Sequence, residues 1–241
     1  MSLFDLLKNK APMPKCSAVL VAAGSSERMG CDKLTAQLGS ASVLVRAIRA
    51  FENSEYVNEI VIVTRMDKVS EIADLCAGEN FSKVSKVVAG GKTRMESSLI
   101  GVSAVKTGAK LIAIHDAARP LVSQALIKRV VCAAAEHMAA VPAVPSTDTL
   151  KIVDADNRVV GTVDRETTYR VQTPQVFDAL LIKGALTKAA DKGLALTDDS
   201  AAMDMTGFKS FVVAGEDDNI KITTPRDLMI AEAILKGRGE L

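Results

Sequence analysis

Short apolar runs rich in valine and isoleucine recur along the chain and alternate with segments of helical periodicity. The runs hold few polar positions, which is typical of parallel strands covered on both faces of a sheet. In the helical segment "VLVRAIRAF", Leu44, Ala47, Ile48 and Phe51 fall on one face. This alternation predicts a doubly wound α/β fold with a mostly parallel sheet. The predicted strands are SAVLVAA (17–23), EIVIVT (59–64), KVSKVVAG (83–90), KLIAIHD (110–116), AAVPAVP (139–145) and FKSFVVAG (208–215).

The alternation stops after Pro145. Residues 146–173 are polar, rich in β-forming residues and contain "DADN", a turn signal. They predict a hairpin-like excursion rather than another βα unit, within a single domain of residues 1–241. The other predicted elements are helices at about 178–192 and 197–206, a short strand at NIKI (219–222) and a last helix that starts with Thr224, Pro225 and Asp227.

Bulk properties exclude several classes of protein. The formal net charge of +1 on 241 residues gives no strong field for nucleic acid or for a membrane surface. No window approaches the roughly 18 uninterrupted apolar residues of a membrane span, and the N-terminal apolar patch is too short for a signal peptide, so we expect a cytoplasmic protein. The four cysteines form no CxxC pair and the chain has two histidines, which disfavours a zinc site and a disulfide framework. The same shortage disfavours Ser-His-Asp and Cys-His catalysis.

Four loops are predicted to meet at one edge of the sheet. In open α/β sheets, ligands bind outside the carboxyl ends of the strands. The loops that follow predicted strands carry glycines, cations and carboxylates, a composition typical of a site for a phosphorylated, metal-bound ligand. They are AAGSSERMGCDK (22–33), GGKTRMESS (90–98), HDAARP (115–120) and AGEDDNIK (214–221).

The first of these loops fits neither common phosphate-loop pattern. It has no GK[ST], and Ser26 stands where GxGxxG needs its second glycine. The second strand ends at Thr64 rather than at an acidic residue, which disfavours a dinucleotide-dependent dehydrogenase. Backbone N–H groups near Gly24 can still face phosphate oxygens, with added charge from Arg28 and Lys33. From spacing alone, a solvated surface loop with two ordinary cations stays open as the alternative.

Seven segments resemble one family. They occur in the same order as in the 2-C-methyl-D-erythritol 4-phosphate cytidylyltransferases, which are Rossmann-like nucleotidyltransferases acting on sugar and polyol phosphates. The resemblance covers about residues 16–235, and Ser26, Asp32 and Lys92 depart from the family pattern. The segments are AVLVAAGSSERMGCDK, GGKTRMESS, IHDAARPLVS, PSTDTLK, TVDRETTYRVQTPQVF, LTDDSAA and DNIKITTPRDLMIAE.

The resemblance implies an activity and an assembly. Members of the family transfer CMP from CTP to 2-C-methyl-D-erythritol 4-phosphate and release pyrophosphate, with Mg²⁺ as cofactor. They are homodimers, and the resemblance implies that residues 146–173 form a protruding β arm that embraces the partner subunit and completes its substrate site. Two alternatives stay open: a cytidylyltransferase for another polyol phosphate, such as ribitol 5-phosphate, and a non-catalytic nucleotide-sensing module.

The resemblance also implies roles for individual residues. Arg28 and Lys33 are the expected catalytic cations on the triphosphate. Asp116 is the expected carboxylate near the metal or ribose, with a simple helix N-terminal residue as its alternative. The nucleotide pocket is expected to include Ala22, Ala23, Gly24, Gly91, Ser97, Asp116 and Ala117. The polyol phosphate is expected to contact Arg165, Lys221, Thr149, Thr173, Thr197 and Asp217, with Thr149 and Arg165 acting across the dimer. His115, at the end of a buried strand, is expected to be structural.

Overall fold

The computed structural model describes residues 13–24 and 33–241. Within these ranges the strands are β1 (Cys16–Val21), β2 (Gln37–Leu38), β3 (Ala41–Ser42), β4 (Val57–Thr64), β5 (Val84–Ala89), β6 (Leu111–Asp116), β7 (Ala139–Pro145), β8 (Lys151–Val153), β9 (Val159–Thr162), β10 (Tyr169–Val171), β11 (Gln175–Asp178) and β12 (Phe211–Ala214). The α-helices are α1 (Val43–Glu52), α2 (Val69–Gly78), α3 (Arg94–Ala104), α4 (Gln124–His137), α5 (Ala179–Asp191), α6 (Ser200–Asp204) and α7 (Pro225–Gly237).

Eight strands form the central sheet, in the order β10-β7-β11-β6-β1-β4-β5, with β12 also paired to β7. Strand β1 runs parallel to β4 and β6, β4 runs parallel to β5, and β12 runs parallel to β7. Strand β11 is antiparallel to both β6 and β7, and β10 is antiparallel to β7. The mostly parallel α/β sheet predicted from the apolar runs is therefore confirmed.

Helices cover both faces of this sheet. Along β1, Leu20 packs into one apolar cluster and Val19 into the other, because successive side chains of a strand point to opposite faces. Helix α3 packs closely against β1, because a Cβ on Gly101 of α3 would lie 2.3 Å from Val19 Cγ1 of β1. None of the helices in the described chain is long and apolar enough to cross a membrane.

Local sequence signals account for several helix boundaries. Helix α1 begins after Ser42, whose hydroxyl accepts a hydrogen bond from the backbone N–H of Val45, and its predicted apolar face is buried. Helix α7 begins with Pro225 behind a capping box formed by Thr224 and Asp227, as predicted.

Several elements differ from the sequence prediction. The periodicity did not predict α2, and the segment predicted as the end of the arm continues into β11, which is inserted between two parallel strands. The predicted helix at 197–206 is confined to α6, and the predicted strand at 219–222 is not a strand. That segment lacks a neighbouring strand and is fixed instead by individual hydrogen bonds described below.

The β8–β9 hairpin is separate from the central sheet. Its two strands pair with each other in antiparallel register, and Asp154 accepts backbone hydrogen bonds across the connecting turn. Within the predicted arm, residues 169–171 instead belong to the central sheet as β10. The hairpin is thus a shorter segment than the predicted excursion of residues 146–173.

Candidate active site

A cavity lies at the carboxyl edge of the sheet. The strand registers place Val21 beside both Val63 and Asp116, so that β1, β4 and β6 end at about the same level. The cavity volume is about 340 Å³, which is within the range of small-molecule sites. All four loops predicted to meet at this edge contribute to its walls, which consist of Val21, Ala22, Ala23, Gly24, Lys33, Leu34, Gly91, Lys92, Thr93, Arg94, Ser97, Asp116, Ala118 and Lys221.

The cavity is strongly positive. Among the described residues that line it, four are cations, namely Lys33, Lys92, Arg94 and Lys221, and one is a carboxylate, Asp116. The walls also include the first residue of α3, and the amino end of a helix carries partial positive charge. The surplus of positive charge favours a polyanionic ligand.

Asp116 is held between two cations. Its Oδ1 accepts a hydrogen bond from Arg94 Nε at 3.0 Å, and its Oδ2 accepts one from Lys221 Nζ at 2.7 Å. Burial raises the pKa of Asp116, but Arg94 and Lys221 outweigh burial and hold that pKa well below its usual range. Asp116 is therefore an ionised carboxylate at the wall of the cavity.

Arg94 contacts a second carboxylate behind the cavity. Its Nη2 lies 2.8 Å from Oδ2 of Asp199, whose side chain is 1% exposed. Burial lowers the pKa of Arg94, but Asp199 and Asp116 outweigh it and raise that pKa above its ordinary value. Burial raises the pKa of Asp199 despite the neighbouring Arg94. The guanidinium of Arg94 is therefore permanently charged and shared between two acids.

His115 orients the loop that follows β6. It is fully buried, its Nε2 donates to the carbonyl oxygen of Arg119 at 3.1 Å, and its Nδ1 accepts from Thr173 Oγ1 at 3.0 Å. The same hydroxyl accepts the backbone N–H of Asp116 at 3.1 Å. Burial lowers the pKa of His115 to about 4, so the ring is neutral at pH 7. The structural role predicted for His115 agrees with these contacts.

Lys221 is positioned by the segment around it. Asn219 is fully buried, donates from Nδ2 to the carbonyl oxygen of Thr173 at 2.9 Å and accepts from Arg119 Nη1 at its own carbonyl, at 2.6 Å. The backbone N–H of Ile222 donates to Ala118 at 2.8 Å. These bonds fix both sides of Lys221 against the loop that follows β6.

Small residues let the start of α3 approach β1. A Cβ on Gly90 would lie 2.7 Å from Ser97 Oγ and 2.8 Å from the Cβ of Ala23. The Ser97 hydroxyl accepts the backbone N–H of Gly91 at 3.2 Å and donates to the carbonyl of Thr93 at 2.9 Å. This part of the wall therefore consists of backbone and small side chains.

The predicted site residues fall into three groups. The residues that line the cavity are Ala22, Ala23, Gly24, Lys33, Gly91, Ser97, Asp116 and Lys221. Those that do not are Ala117 and Thr173, which are buried, and Thr149, Arg165, Thr197 and Asp217, which are exposed. Arg28 lies outside the described residues, as do the departures at Ser26 and Asp32.

Sequence reasoning missed three charged residues of the site, Lys92, Arg94 and Asp199. All three lie in segments that carried the family resemblance, GGKTRMESS and LTDDSAA. A cation at the first position of a helix that follows a glycine pair was the available signal for Arg94. Nothing in the local pattern distinguishes Asp199 from its neighbour Asp198.

Asp116 can contribute to a cation site only together with ligand oxygens. No group of three or more His, Cys, Asp or Glu side chains in the described part of the chain is arranged to hold a metal ion. Mg²⁺ is commonly bound by one or two carboxylates plus substrate phosphates and water. The single ionised carboxylate of Asp116, at the wall of a cavity that favours a polyanionic ligand, fits that pattern.

Comparisons with known proteins agree on one family. The family model of 2-C-methyl-D-erythritol 4-phosphate cytidylyltransferase matches residues 16–237. Curated proteins of that name from Caldanaerobacter subterraneus subsp. tengcongensis and Halalkalibacterium halodurans are each 41% identical to the chain, over 91% of it and over 98% and 96% of their own lengths.

Solved structures give the same result. The 4-diphosphocytidyl-2C-methyl-D-erythritol synthase of Anaerococcus prevotii superposes with a TM-score of 0.82 at 32% identity, covering 92% of this chain and 96% of that one. The 2-C-methyl-D-erythritol 4-phosphate cytidylyltransferase of Thermus thermophilus gives a TM-score of 0.74 at 31% identity, over 92% and 99% of the two chains.

Proposed function

The chain belongs to the 2-C-methyl-D-erythritol 4-phosphate cytidylyltransferase family, and on that basis we propose that it transfers CMP from CTP to 2-C-methyl-D-erythritol 4-phosphate. The products are 4-diphosphocytidyl-2-C-methyl-D-erythritol and pyrophosphate. The observation that carries the proposal is the cavity with four cations and one ionised carboxylate at the carboxyl edge of the sheet.

The reaction needs charge and alignment more than proton transfer. An oxygen of the polyol phosphate attacks the α-phosphorus of CTP, a new P–O bond forms, and the bond from that phosphorus to the β-phosphate oxygen breaks. The leaving pyrophosphate keeps the electron pair. Because the nucleophile is already an anion, no general base is required, and the rate depends on bringing two anions together in line. This agrees with His115, whose ring nitrogens both make structural hydrogen bonds.

We assign the positive residues to the two anions. Lys33 and Arg28 are proposed to contact the triphosphate and to stabilise charge that develops in the transition state. Lys221, fixed next to Asp116, is proposed to bind the attacking phosphate. Lys33 and Lys221 both line the cavity, which supports the assignment of separate cations to the two anions within one site.

The nucleotide subsite is proposed to favour a pyrimidine. Ala22, Ala23, Gly24, Gly91 and Ser97 all line the cavity. Backbone polar groups and small side chains suit a close approach to the edge of a small base. Ala117, predicted for this subsite, is fully buried, and its N–H donates to the carbonyl of Val21, so it supports the wall from behind.

Asp116 is proposed to contact Mg²⁺ or the ribose. It would hold a cation jointly with triphosphate oxygens, and the bound ion would neutralise phosphate charge. The positions of Arg94 and Lys221 keep the carboxylate ionised for this purpose. A cytoplasmic location stays a prediction from the sequence.

A homodimer through the β8–β9 hairpin is proposed. The hairpin makes no pairing with the central sheet in the described chain, and it exposes apolar side chains that a single subunit does not cover. Two strands alone are marginally stable in water, so a partner surface is expected. The exposed large apolar residues of the two strands are Ile152, Val153, Val159 and Val160.

Five of the predicted substrate residues do not line the cavity of this subunit. We propose that the exposed ones act in the partner's cavity or at the entrance to the cavity. Thr149 and Arg165 flank the hairpin and are exposed, which suits a contribution to the cavity of the neighbouring subunit. Thr197 and Asp217 are exposed on loops, and Asp217 lies 3.5 Å from Arg170. Thr173 is buried and is proposed to support the site indirectly, since its hydroxyl bonds His115 and the backbone N–H of Asp116.

A substrate panel tests the proposal. The protein is incubated with CTP and Mg²⁺ together with 2-C-methyl-D-erythritol 4-phosphate, ribitol 5-phosphate or no acceptor, and pyrophosphate is followed. We expect release that depends on the first acceptor. Faster release of pyrophosphate with ribitol 5-phosphate would show that the acceptor is a different polyol phosphate. CTP binding without turnover of either acceptor would indicate a nucleotide-sensing module instead.

A further inference from the structure

Asp199 is a buried carboxylate that does not line the cavity and yet contacts a residue that does. Its side chain is 1% exposed, and Arg94 is the single cation within ion-pair distance of it among the described residues. Burying a charged carboxylate is costly unless a partner compensates it. Asp199 is therefore connected to the cavity through its ion pair with Arg94.

Helix capping does not account for Asp199. It occupies the N-cap position of α6 but makes no side-chain capping bond. The neighbouring Asp198 makes those bonds instead: its Oδ1 accepts the N–H of Ala201 at 3.1 Å, and its Oδ2 accepts the Ser200 hydroxyl at 2.7 Å. Two adjacent carboxylates thus have separate tasks, one of which is the ion pair with Arg94.

The four charges behind and within the cavity alternate in sign. Asp199 contacts Arg94 Nη2 at 2.8 Å, Arg94 Nε donates to Asp116 Oδ1 at 3.0 Å, and Asp116 Oδ2 accepts from Lys221 Nζ at 2.7 Å. Each residue is a terminal or loop residue of a different segment: the start of α6, the start of α3, the end of β6 and the loop before α7. The series therefore connects the interior to the lysine on the cavity wall.

Splitting the guanidinium between two acids has a consequence for Lys221. Two neighbouring N–H donors of an arginine commonly hold one carboxylate in a bidentate pair. Here Asp199 engages Nη2, so Arg94 has Nε available for one oxygen of Asp116, and the other oxygen accepts from Lys221. Without Asp199, both donors of Arg94 would be available to Asp116, in competition with Lys221.

We propose that Asp199 is a positioning residue, which holds Arg94 in a shared geometry so that Asp116 retains one oxygen for Lys221. The proposal rests on the proposed function, because it assigns to Lys221 the alignment of the attacking phosphate. A displacement of about 1 Å in such a group can cost on the order of 10²-fold in rate.

The structural test needs no turnover. Crystal structures of the wild type and of the Asp199→Asn variant, which keeps the shape and removes the charge, are compared. We expect the variant to show both Nε and Nη2 of Arg94 on Asp116 and Lys221 Nζ beyond about 4 Å from that carboxylate. An unchanged Asp116–Lys221 pair in the variant would overturn the proposal. If Asp199→Asn does not fold, Asp199→Ser, which removes the same charge and leaves Arg94 in place, is compared in the same way.

The kinetic test separates positioning from general structural damage. We expect Asp199→Asn to lower kcat about 10-fold to 100-fold and to change KM for CTP less than about 3-fold. The double variant Asp199→Asn with Lys221→Gln should be no slower than Lys221→Gln alone, because both changes act on one interaction. Additive losses would overturn the proposal. Lack of turnover by the wild type would refute the proposed function, while the crystallographic comparison would still decide the role of Asp199.

Discussion

Lys221 Nζ lies 2.7 Å from Asp116 Oδ2, although the two residues are 105 positions apart. Each of them is brought there by backbone contacts of its own loop, since Asp116 ends β6 and the segment of Lys221 is bonded to Ala118 and Arg119. The pair places an ammonium group at the wall of the cavity with its charge only partly neutralised, because Asp116 is shared with Arg94.

Removal of the Lys221 charge should impair catalysis without unfolding the protein. We expect Lys221→Gln to lower kcat about 10²-fold or more, by analogy with the loss of a donor to a developing anion. The matched control is Lys209→Gln, because the Lys209 side chain is 81% exposed and pairs only with Asp204 at 3.4 Å among the described residues. Steady-state kinetics on both variants check this, and equal rates would contradict the role of Lys221.

Two helical glycines should respond oppositely to alanine. A Cβ on Gly101 would lie 2.3 Å from Val19 Cγ1, whereas a Cβ on Gly184 would meet nothing within 4 Å. We expect Gly101→Ala to lower the free energy of unfolding by about 1–3 kcal/mol through overpacking. Gly184→Ala should raise it by about 0.5–1 kcal/mol, since alanine loses less entropy in a helix. Urea denaturation measures both, and equal stabilities would show that α3 does not approach β1 this closely.

The burial of His115 makes stability depend on pH. Its pKa is lowered to about 4 in the folded state, against about 6.5 in the unfolded chain. The unfolded state therefore binds the proton first, and the free energy of unfolding falls as the pH decreases from about 6.5 to about 4. Between pH 7 and pH 5 the contribution of this group is about 2 kcal/mol. We expect this part of the decrease in the free energy of unfolding to be absent in His115→Gln. If the free energy of unfolding of the variant depended on pH as steeply as that of the wild type, the neutral buried ring would be contradicted.

The hairpin prediction concerns assembly. Val160 on β9 and Leu180 at the start of α5 are both exposed apolar residues of one subunit, with 62% and 82% exposure. We expect Val160→Asp to shift the mass measured by light scattering from dimer toward monomer, and Leu180→Asp to leave it unchanged. A wild-type monomer, or an equal shift in both variants, would refute dimerisation through the hairpin.

The sequence predicted the parallel half of the sheet because those strands are continuous apolar runs, as in β4 and β6. It did not predict β11, since "QVFD" is short and its antiparallel insertion depends on the strands beside it. The segment of Lys221 looked like a strand for a related reason: "NIKI" has strand-forming residues, but it has no strand neighbour to pair with.

The candidate site, like the fold, was predictable only in part. The loops that end at the carboxyl edge were predictable from strand order, and eight predicted residues line the cavity. The pairing of Arg94 with Asp199 was not predictable, because 105 residues separate them in the chain and their contact depends on how α3 and α6 pack. Residues such as Arg165, which are expected to act across a dimer, cannot be placed by the fold of one subunit.

The central claim is that a phosphate oxygen of the polyol attacks the α-phosphorus of CTP in this cavity. The most direct measurement uses 2-C-methyl-D-erythritol 4-phosphate with ¹⁸O in its non-bridging phosphate oxygens, followed by mass spectrometry of both products. The account predicts that 4-diphosphocytidyl-2-C-methyl-D-erythritol retains all of the label and that pyrophosphate carries none. Label in pyrophosphate, or no cytidylylated product, would contradict it.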